Sequence, residues 1–190
     1  MEKKMALIKA AANLFADQGF DGTTTFQIAK EACVTEPLIY YHFEGKDELF
    51  THILESTFEN YFSRLKSLKN DTPTEFQKIE ELITLHLTIV DEMPTEIRLI
   101  VSTCPAKLKD PKNICMKNIK KHRDWHISFL TRCIENGIKK GEFRKVPVKK
   151  TVFLIMALIN GLVRQKAWKF SDVPDLKSAA IDFCRTGLLL

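Results

Sequence analysis

The stretch TTFQIAKEACVTEPLIYYHFEGKDELF, residues 24–50, holds a helix start, a turn and a second helix start in quick succession. Thr24 with Gln27 three residues on forms a capping box, which opens a short helix that carries Ile28 and Ala29 inward. Cys33-Val34-Thr35 interrupts that helix, and Thr35 is the expected cap of the next one, which admits Pro37 in its first turn because a missing N–H costs nothing there. Ala29 and Cys33 lie four apart, Val34 follows, and Ile39 comes five later. This is helix-turn-helix spacing: a small residue where the helices cross, a turn, then apolar anchors. Ile39 and Phe43, four apart, supply the core face, which leaves Glu36, Pro37, Tyr40, Tyr41 and His42 to face outward, flanked by Lys46. Hydroxyl and imidazole donors suit phosphate oxygens, and apolar edges suit a thymine methyl.

Helices surround this stretch on both sides. Met5, Leu7, Ile8, Ala11, Ala12, Leu14 and Phe15 form an apolar stripe at three-and-four spacing, closed by Gly19 as a C-terminal cap. From Lys46 a longer helix carries Leu49, Phe50, Ile53, Leu54, Phe58, Phe62 and Leu65 towards the polar KNDTPT linker. Another covers about 75–92 and stops before Pro94, and a shorter one is expected over Glu96 to Thr103. After the loop KLKDPK, helices are expected over 114–140, 148–169 and 174–190. Nothing alternates with period two for long enough to argue a sheet, so the fold class is all-α.

Composition narrows the function classes. The 190 residues suffice for a buried core without staples, and five cysteines with no CxxC pair read as reduced thiols of a cytoplasmic protein. The charged, amphipathic N-terminus lacks the apolar region of a signal peptide, and no apolar run approaches the roughly 18–20 residues of a membrane span. An enzyme is not expected: there is no Gly-rich phosphate loop, no GxSxG and no close pair of carboxylates with a third partner. Charge runs against the motif, since residues 1–50 hold five Lys and no Arg against eight acidic residues, while the remainder is strongly basic. Helix N-termini and individually placed Lys4, Lys30 and Lys46 can meet phosphates without a positive domain, which points to modest affinity and a shallow salt slope.

The order of an amphipathic helix, Gly19-Phe20, Gly22, Thr23-Thr24, Ile28-Ala29, Ala32, Val34-Thr35, Leu38-Ile39-Tyr40-Tyr41-His42-Phe43, Lys46 and Leu49 resembles the DNA-binding domain of the TetR (tetracycline repressor) family. The resemblance covers about the first quarter of the chain; the rest matches by layout. It implies an N-terminal three-helix DNA-binding domain, residues 1–46, and a C-terminal helical ligand-binding and dimerisation domain, residues 47–190, in an Ω-shaped homodimeric repressor on a palindromic operator in double-stranded DNA. Carried over by position, Thr24, Thr25, Tyr41, His42 and Lys46 would hold phosphates, while Glu36, Pro37, Leu38 and Tyr40, next to Thr35, would lie at or near base edges. Cys33 stands where the family usually has the glycine of the turn, so the turn must accept a left-handed non-glycine residue or take a different shape. Glu36-Pro37 replaces a frequent basic residue and glycine, and Phe26 a frequent basic one.

The C-terminal part divides into two candidate surfaces. The 148–169 helix is apolar around most of its circumference, and with the last helix it suits a two-fold four-helix interface, for which Phe153, Met156, Ile159, Gly161, Val163, Ala180, Phe183 and Leu188 are the candidates; packing within one subunit is the competing reading. Phe58, Phe62, His86, Cys104, Trp125 and Phe129 are candidates to line a pocket for a small, largely apolar effector. The basic segment from the KLKDPK loop through Lys117, Lys120, Lys121 and Arg123 is a solvated face or an attractor for an anionic group. Two alternatives stand beside this reading. His122 and His126, four apart on a helix, with Cys115 or Cys133, have the spacing of a metal- or redox-sensing set, yet no acidic residue falls in the HExxH position and no CxxC helps, so neither metal nor cofactor is expected. A helical partner-binding protein without DNA function is the other.

Overall fold

The computed structural model describes residues 2–68, 73–101, 114–170 and 174–189. Among them the chain forms α1 (Glu2–Gln18), α2 (Thr25–Glu31), α3 (Pro37–His42), α4 (Lys46–Lys66), α5 (Glu75–Glu92), α6 (Pro94–Val101), α7 (Ile114–Lys139), α8 (Val148–Trp168) and α9 (Leu176–Leu188). One isolated antiparallel bridge, Phe143 to Leu189, is the extended pairing among these residues. The expected all-α class is what the chain adopts. Helix α6 starts at Pro94, two residues before the expected Glu96, because proline fits the first turn of a helix. The KLKDPK loop and Cys104 lie outside the described residues.

Packing divides the chain into two compact units that do not follow chain order: 1–60 with 93–119, and 61–92 with 120–190. In the first unit, α1 buries Leu7, Ala11 and Phe15, and Gly19 ends it at φ 79° with its N–H donating to the Phe15 carbonyl at 3.1 Å. A side chain there would oppose the left-handed turn. The rings of Phe15, Phe20 and Phe50 meet with centroids 5.0–5.5 Å apart, joining α1, the turn after it and α4. Helix α6 lies on α1, where Arg98 pairs with Asp17 at 2.9 Å and Thr95 donates to Asn13 at 3.3 Å.

The second unit is built on α5, whose Ile79, Leu82, Ile83, Ile89 and Val90 are buried. Each such side chain contributes about 1.5–3 kcal/mol relative to exposure. Its first turn is closed from a distance: the Glu142 carboxylate accepts the N–H groups of Glu75 and Phe76 at 2.9 and 2.8 Å, satisfying donors that a helix start leaves orphaned. The buried Glu75 carboxylate takes Lys140 at 2.6 Å and Lys78 at 3.1 Å. Burial alone would raise its pKa, but the hydrogen bonds from Lys140 and Lys78 outweigh it and hold the group below the ordinary carboxylate value. Gly137 lets the Phe143 ring lie against the α7 backbone, since a Cβ there would come within 2.2 Å of the ring. Helices α8 and α9 cover α5, with Lys166 paired to Asp91 at 2.6 Å and Arg185 to Glu80 at 2.7 Å.

Candidate functional site

The helix-turn-helix forms as its sequence demands. Thr24 accepts from the Gln27 N–H at 3.2 Å, and the Gln27 side chain returns the bond to the Thr24 N–H at 2.9 Å, completing the capping box. Cys33 adopts φ 53°, so the turn keeps the left-handed geometry of a glycine with a cysteine in it. An L-residue there bears roughly 1–2 kcal/mol of strain. Ile28, Ile39 and Phe43 are buried, and the remainder of α3 is turned outward. Tyr41 is 80% exposed and Tyr40 57%. Pro37 and Thr35 are exposed, and Leu38 and His42 are half-buried, with the His42 ring edge-on to Tyr41 at 4.8 Å. Phe26, seen in the sequence only as a departure from the pattern, adds a ring that is 63% exposed.

Several of these side chains are engaged within the unit itself. Lys46 does not reach outward: its ammonium donates to the carbonyls of Phe20 at 2.8 Å and Thr23 at 2.6 Å and lies 4.3 Å from the Phe20 ring centre. It ties the α1–α2 turn to the start of α4. Thr35 does not cap α3, because Glu36 occupies the N-cap in helical conformation and makes no side-chain cap bond. The Glu36 carboxylate instead accepts from the Thr25 hydroxyl at 2.5 Å, which links α2 to α3 and engages both side chains within the unit. Lys4 lies over the Phe43 ring at 5.1 Å.

The candidates for a subunit interface separate into two sets. Phe153 is half exposed, Phe183 is 74% exposed, Gly161 has open space where a Cβ would stand, and Met156 and Val163 are half-buried. Leu154, not among the candidates, is exposed beside Phe153. Ile159, Ala180 and Leu188 are buried within the second unit and serve its own core.

Of the candidate pocket residues, Phe58 is buried in the first unit, whereas Phe62, His86, Trp125 and Phe129 come together in the second. What joins them is a cluster that the sequence disclosed only in part. His86 on α5 and His126 on α7 approach with their Nε2 atoms 2.9 Å apart, and the Tyr61 hydroxyl lies 2.5 Å from the first and 3.4 Å from the second. The His122 ring lies 4.1 Å from that of His126 and 4.6 Å from that of Tyr61. Trp125 stacks on Phe129 at 5.0 Å and meets His126 edge-on, and Phe62 stands 6.1 Å from His122 with the Lys121 ammonium 4.8 Å from its ring centre. Tyr61 continues the α4 stripe of Leu54, Phe58 and Leu65, so its inward position was legible in the spacing.

Protonation in this cluster is fixed by the backbone. His86 Nδ1 lies 2.6 Å from the Leu82 carbonyl and His126 Nδ1 2.8 Å from the His122 carbonyl, and because a carbonyl only accepts, each Nδ1 carries the hydrogen. Burial pushes His86 down to about 3, with the neighbouring His126 adding to the effect, and pushes His122 down to about 2, again aided by the other two rings. His126 is lowered by burial too, and burial holds the Tyr61 hydroxyl protonated far above its ordinary range. The rings are therefore neutral, and the Nε2 atoms of His86 and His126 present lone pairs to one another. Cys133, weighed with His122 and His126 from the sequence, is buried elsewhere with its thiol pushed up to about 12, chiefly by desolvation. The Cys115 side chain lies outside the described residues.

A cleft of about 530 Å³ lies beside the α5–α8–α9 layer, lined by Thr84, Thr88, Asp91, Gln165, Lys166 and Lys169 among others. Its lining mixes these polar side chains with Leu87, Leu162 and Leu176, and none of the candidate pocket residues contributes to it. No described helix is long and apolar enough to cross a membrane.

Comparison with known proteins agrees with this arrangement. Residues 7–53 match the model of the bacterial regulatory proteins of the tetR family, a span that contains the whole helix-turn-helix. The chain is 23% identical to the uncharacterized HTH-type transcriptional regulator YfiR of Bacillus subtilis, across 98% of this chain and 92% of that one. In fold it is similar to the ketosteroid transcriptional regulator KstR2 of Mycobacterium tuberculosis, with a TM-score of 0.81 at 17% identity over 98% and 95% of the two chains. It is also similar to AibR in complex with isovaleryl coenzyme A and operator DNA, with a TM-score of 0.73 at 16% identity over 97% of each chain. With its helix-turn-helix, its helical order and these likenesses, the chain carries the DNA-binding domain of the TetR family at residues 7–53 and is similar in sequence and fold to transcriptional regulators along its length.

Proposed function

We propose that the protein is a ligand-responsive repressor that binds a palindromic operator as a homodimer and leaves it when a small, largely apolar effector binds. The observation that carries the DNA part is the outward face of α3: Ile39 and Phe43 already satisfy the core, yet Tyr40 and Tyr41 stand in solvent beside Pro37. A solvated helix gains nothing from two exposed tyrosines, whereas a major-groove helix uses their hydroxyls on phosphates and their ring edges on bases. Repression follows if the occupied operator overlaps the site where transcription starts.

Dimerisation is supported by the exposed Phe153, Leu154 and Phe183 on α8 and α9, two helices whose opposite faces are already buried on α5. The effector reading rests on the aromatic surroundings of the second unit, Phe62, Trp125 and Phe129, with the polar groups of Tyr61 and the histidines among them. A relative of the same fold was solved with an acyl coenzyme A and operator DNA together, which makes an acyl chain with an anionic head a sensible first class of effector to screen. The chain passes from one packing unit to the other within α4, so a shift of that helix on ligand binding would be felt by the helix-turn-helix. Selection of bound duplexes from a random pool tests the proposal: a palindrome with half-sites about one helical turn apart is expected. Recovery of asymmetric single sites would contradict the homodimer, and recovery of no preferred sequence would contradict the regulator.

A further inference from the structure

His86, His122 and His126 each offer one ring nitrogen, and these three atoms lie within 4.8 Å of one another in the interior of the second unit. The tautomers are set by backbone carbonyls, so the Nε2 atoms of His86 and His126 face each other as lone pairs at 2.9 Å. Two acceptors at that distance repel unless a proton or a cation lies between them. The Tyr61 hydroxyl has one hydrogen and reaches His86 best, at 2.5 Å, so it serves one of the two rings. His122, on the same face of α7 as His126 one turn earlier, makes no side-chain hydrogen bond to the described residues and has both ring nitrogens available.

We infer that His86, His122 and His126 form a binding site for a divalent transition-metal cation of the zinc class. Three neutral imidazoles on two helices are a known donor set for such an ion, with the fourth position left for solvent or another oxygen. In a tetrahedral arrangement with bonds of about 2.0–2.1 Å, ligand nitrogens stand roughly 3.3 Å apart. The 2.9 Å pair needs to open slightly and the third ring to close in. The outer partners are those that metal-bound histidines usually have: each Nδ1–H of His86 and His126 donates to a carbonyl one helical turn back, which aims its Nε2 lone pair at the centre. Alkaline-earth ions prefer oxygen donors and should be refused. The cation fills an electrostatic gap that a buried histidine pair cannot close for itself, and it joins α5 to α7. This inference does not rest on operator binding, and its test uses no DNA.

The test uses the full chain without an affinity tag, dialysed against Zn2+, Co2+ or Mg2+ alone. One equivalent of Zn2+ or Co2+ is expected to be retained and Mg2+ not. Bound Co2+ should show the intense visible bands of a four-coordinate nitrogen-rich site without thiolate charge transfer. His122→Gln and His86→Gln should weaken retention by more than the roughly tenfold to hundredfold that loss of an outer partner costs. Tyr61→Phe should keep the site. Because a buried histidine replaced by glutamine can unfold the chain, nitrogen NMR of the wild-type side chains supplies a second readout: Zn2+ should shift a ring-nitrogen signal of three of the five histidines. Retention of no transition metal, unchanged binding in a folded His122→Gln chain, or Zn2+ shifts at fewer than three histidines would overturn the inference.

Discussion

At the scale of the residue, one departure from the family pattern and one match to it lead to opposite kinds of outcome. Cys33 keeps the left-handed turn at φ 53°, so Cys33→Gly should stabilise the chain by about 1 kcal/mol, part of the strain relief being offset by glycine's greater freedom in the unfolded state. Chemical denaturation of the two proteins measures it. Lys46 matches the pattern by identity, and the resemblance implies that it holds a phosphate; its ammonium is instead committed to the Phe20 and Thr23 carbonyls. Lys46→Met retains the stem over Phe20 but takes the ammonium away from the Phe20 and Thr23 carbonyls, and should lower stability by about 2 kcal/mol in unfolding experiments without DNA. A variant of unchanged stability and weakened DNA binding would restore the phosphate role. Tyr41→Ala should do the reverse of Lys46→Met, leaving unfolding unchanged and weakening all DNA sequences alike. Motif spacing located these side chains; it did not tell a lysine that reaches out from one that folds back, because both lie at the same helical position and only the carbonyls across the turn decide.

At the scale of the element, helix starts and stripes were legible where local chemistry determines them. The Thr24–Gln27 box, the Gly19 stop and the stripe of α5 follow from residues a few positions apart, and all are present. Spacing puts the cap of α3 at Thr35, whereas this six-residue helix takes its start from Pro37 and from the partner that Glu36 finds eleven residues back in Thr25. The start of α5 at Glu75 is where its stripe puts it, but the cap that closes it, the Glu142 carboxylate, lies far along the chain and is not legible from local sequence. Beside it, Glu75 has a folded pKa below its unfolded one, so the stability it supplies is present above about 4.5 and is lost as pH falls through the folded value. Urea unfolding of the wild type should therefore weaken more steeply below pH 4.5 than that of Glu75→Gln, which has no carboxylate to protonate. Equal slopes would show that the Lys78 and Lys140 contacts do not hold the charge. The histidine cluster marks the limit of reading by element: His122 and His126 announce themselves by spacing on α7, but His86 arrives from another helix, and only packing brings it to them.

At the scale of the whole molecule, the family and fold were visible from a quarter of the chain, because a helix-turn-helix constrains many neighbouring residues at once. The interface and the effector site were less legible, since an apolar helical stripe looks the same whether it meets its own subunit or another, as Ile159 and Phe153 show on α8. Phe153→Glu combined with Phe183→Glu leaves the buried face of both helices intact and should yield a folded monomer in sedimentation, with operator affinity reduced by orders of magnitude. The central claim is that two copies of the Tyr40–Tyr41 face engage one side of the same duplex. Equilibrium binding to the selected palindrome is to be compared with binding to the same two half-sites separated by a further five base pairs or so, half a helical turn. The account predicts that the insertion abolishes the tight complex, because the second half-site then lies on the opposite side of the duplex. Equal affinity for the two duplexes would contradict it.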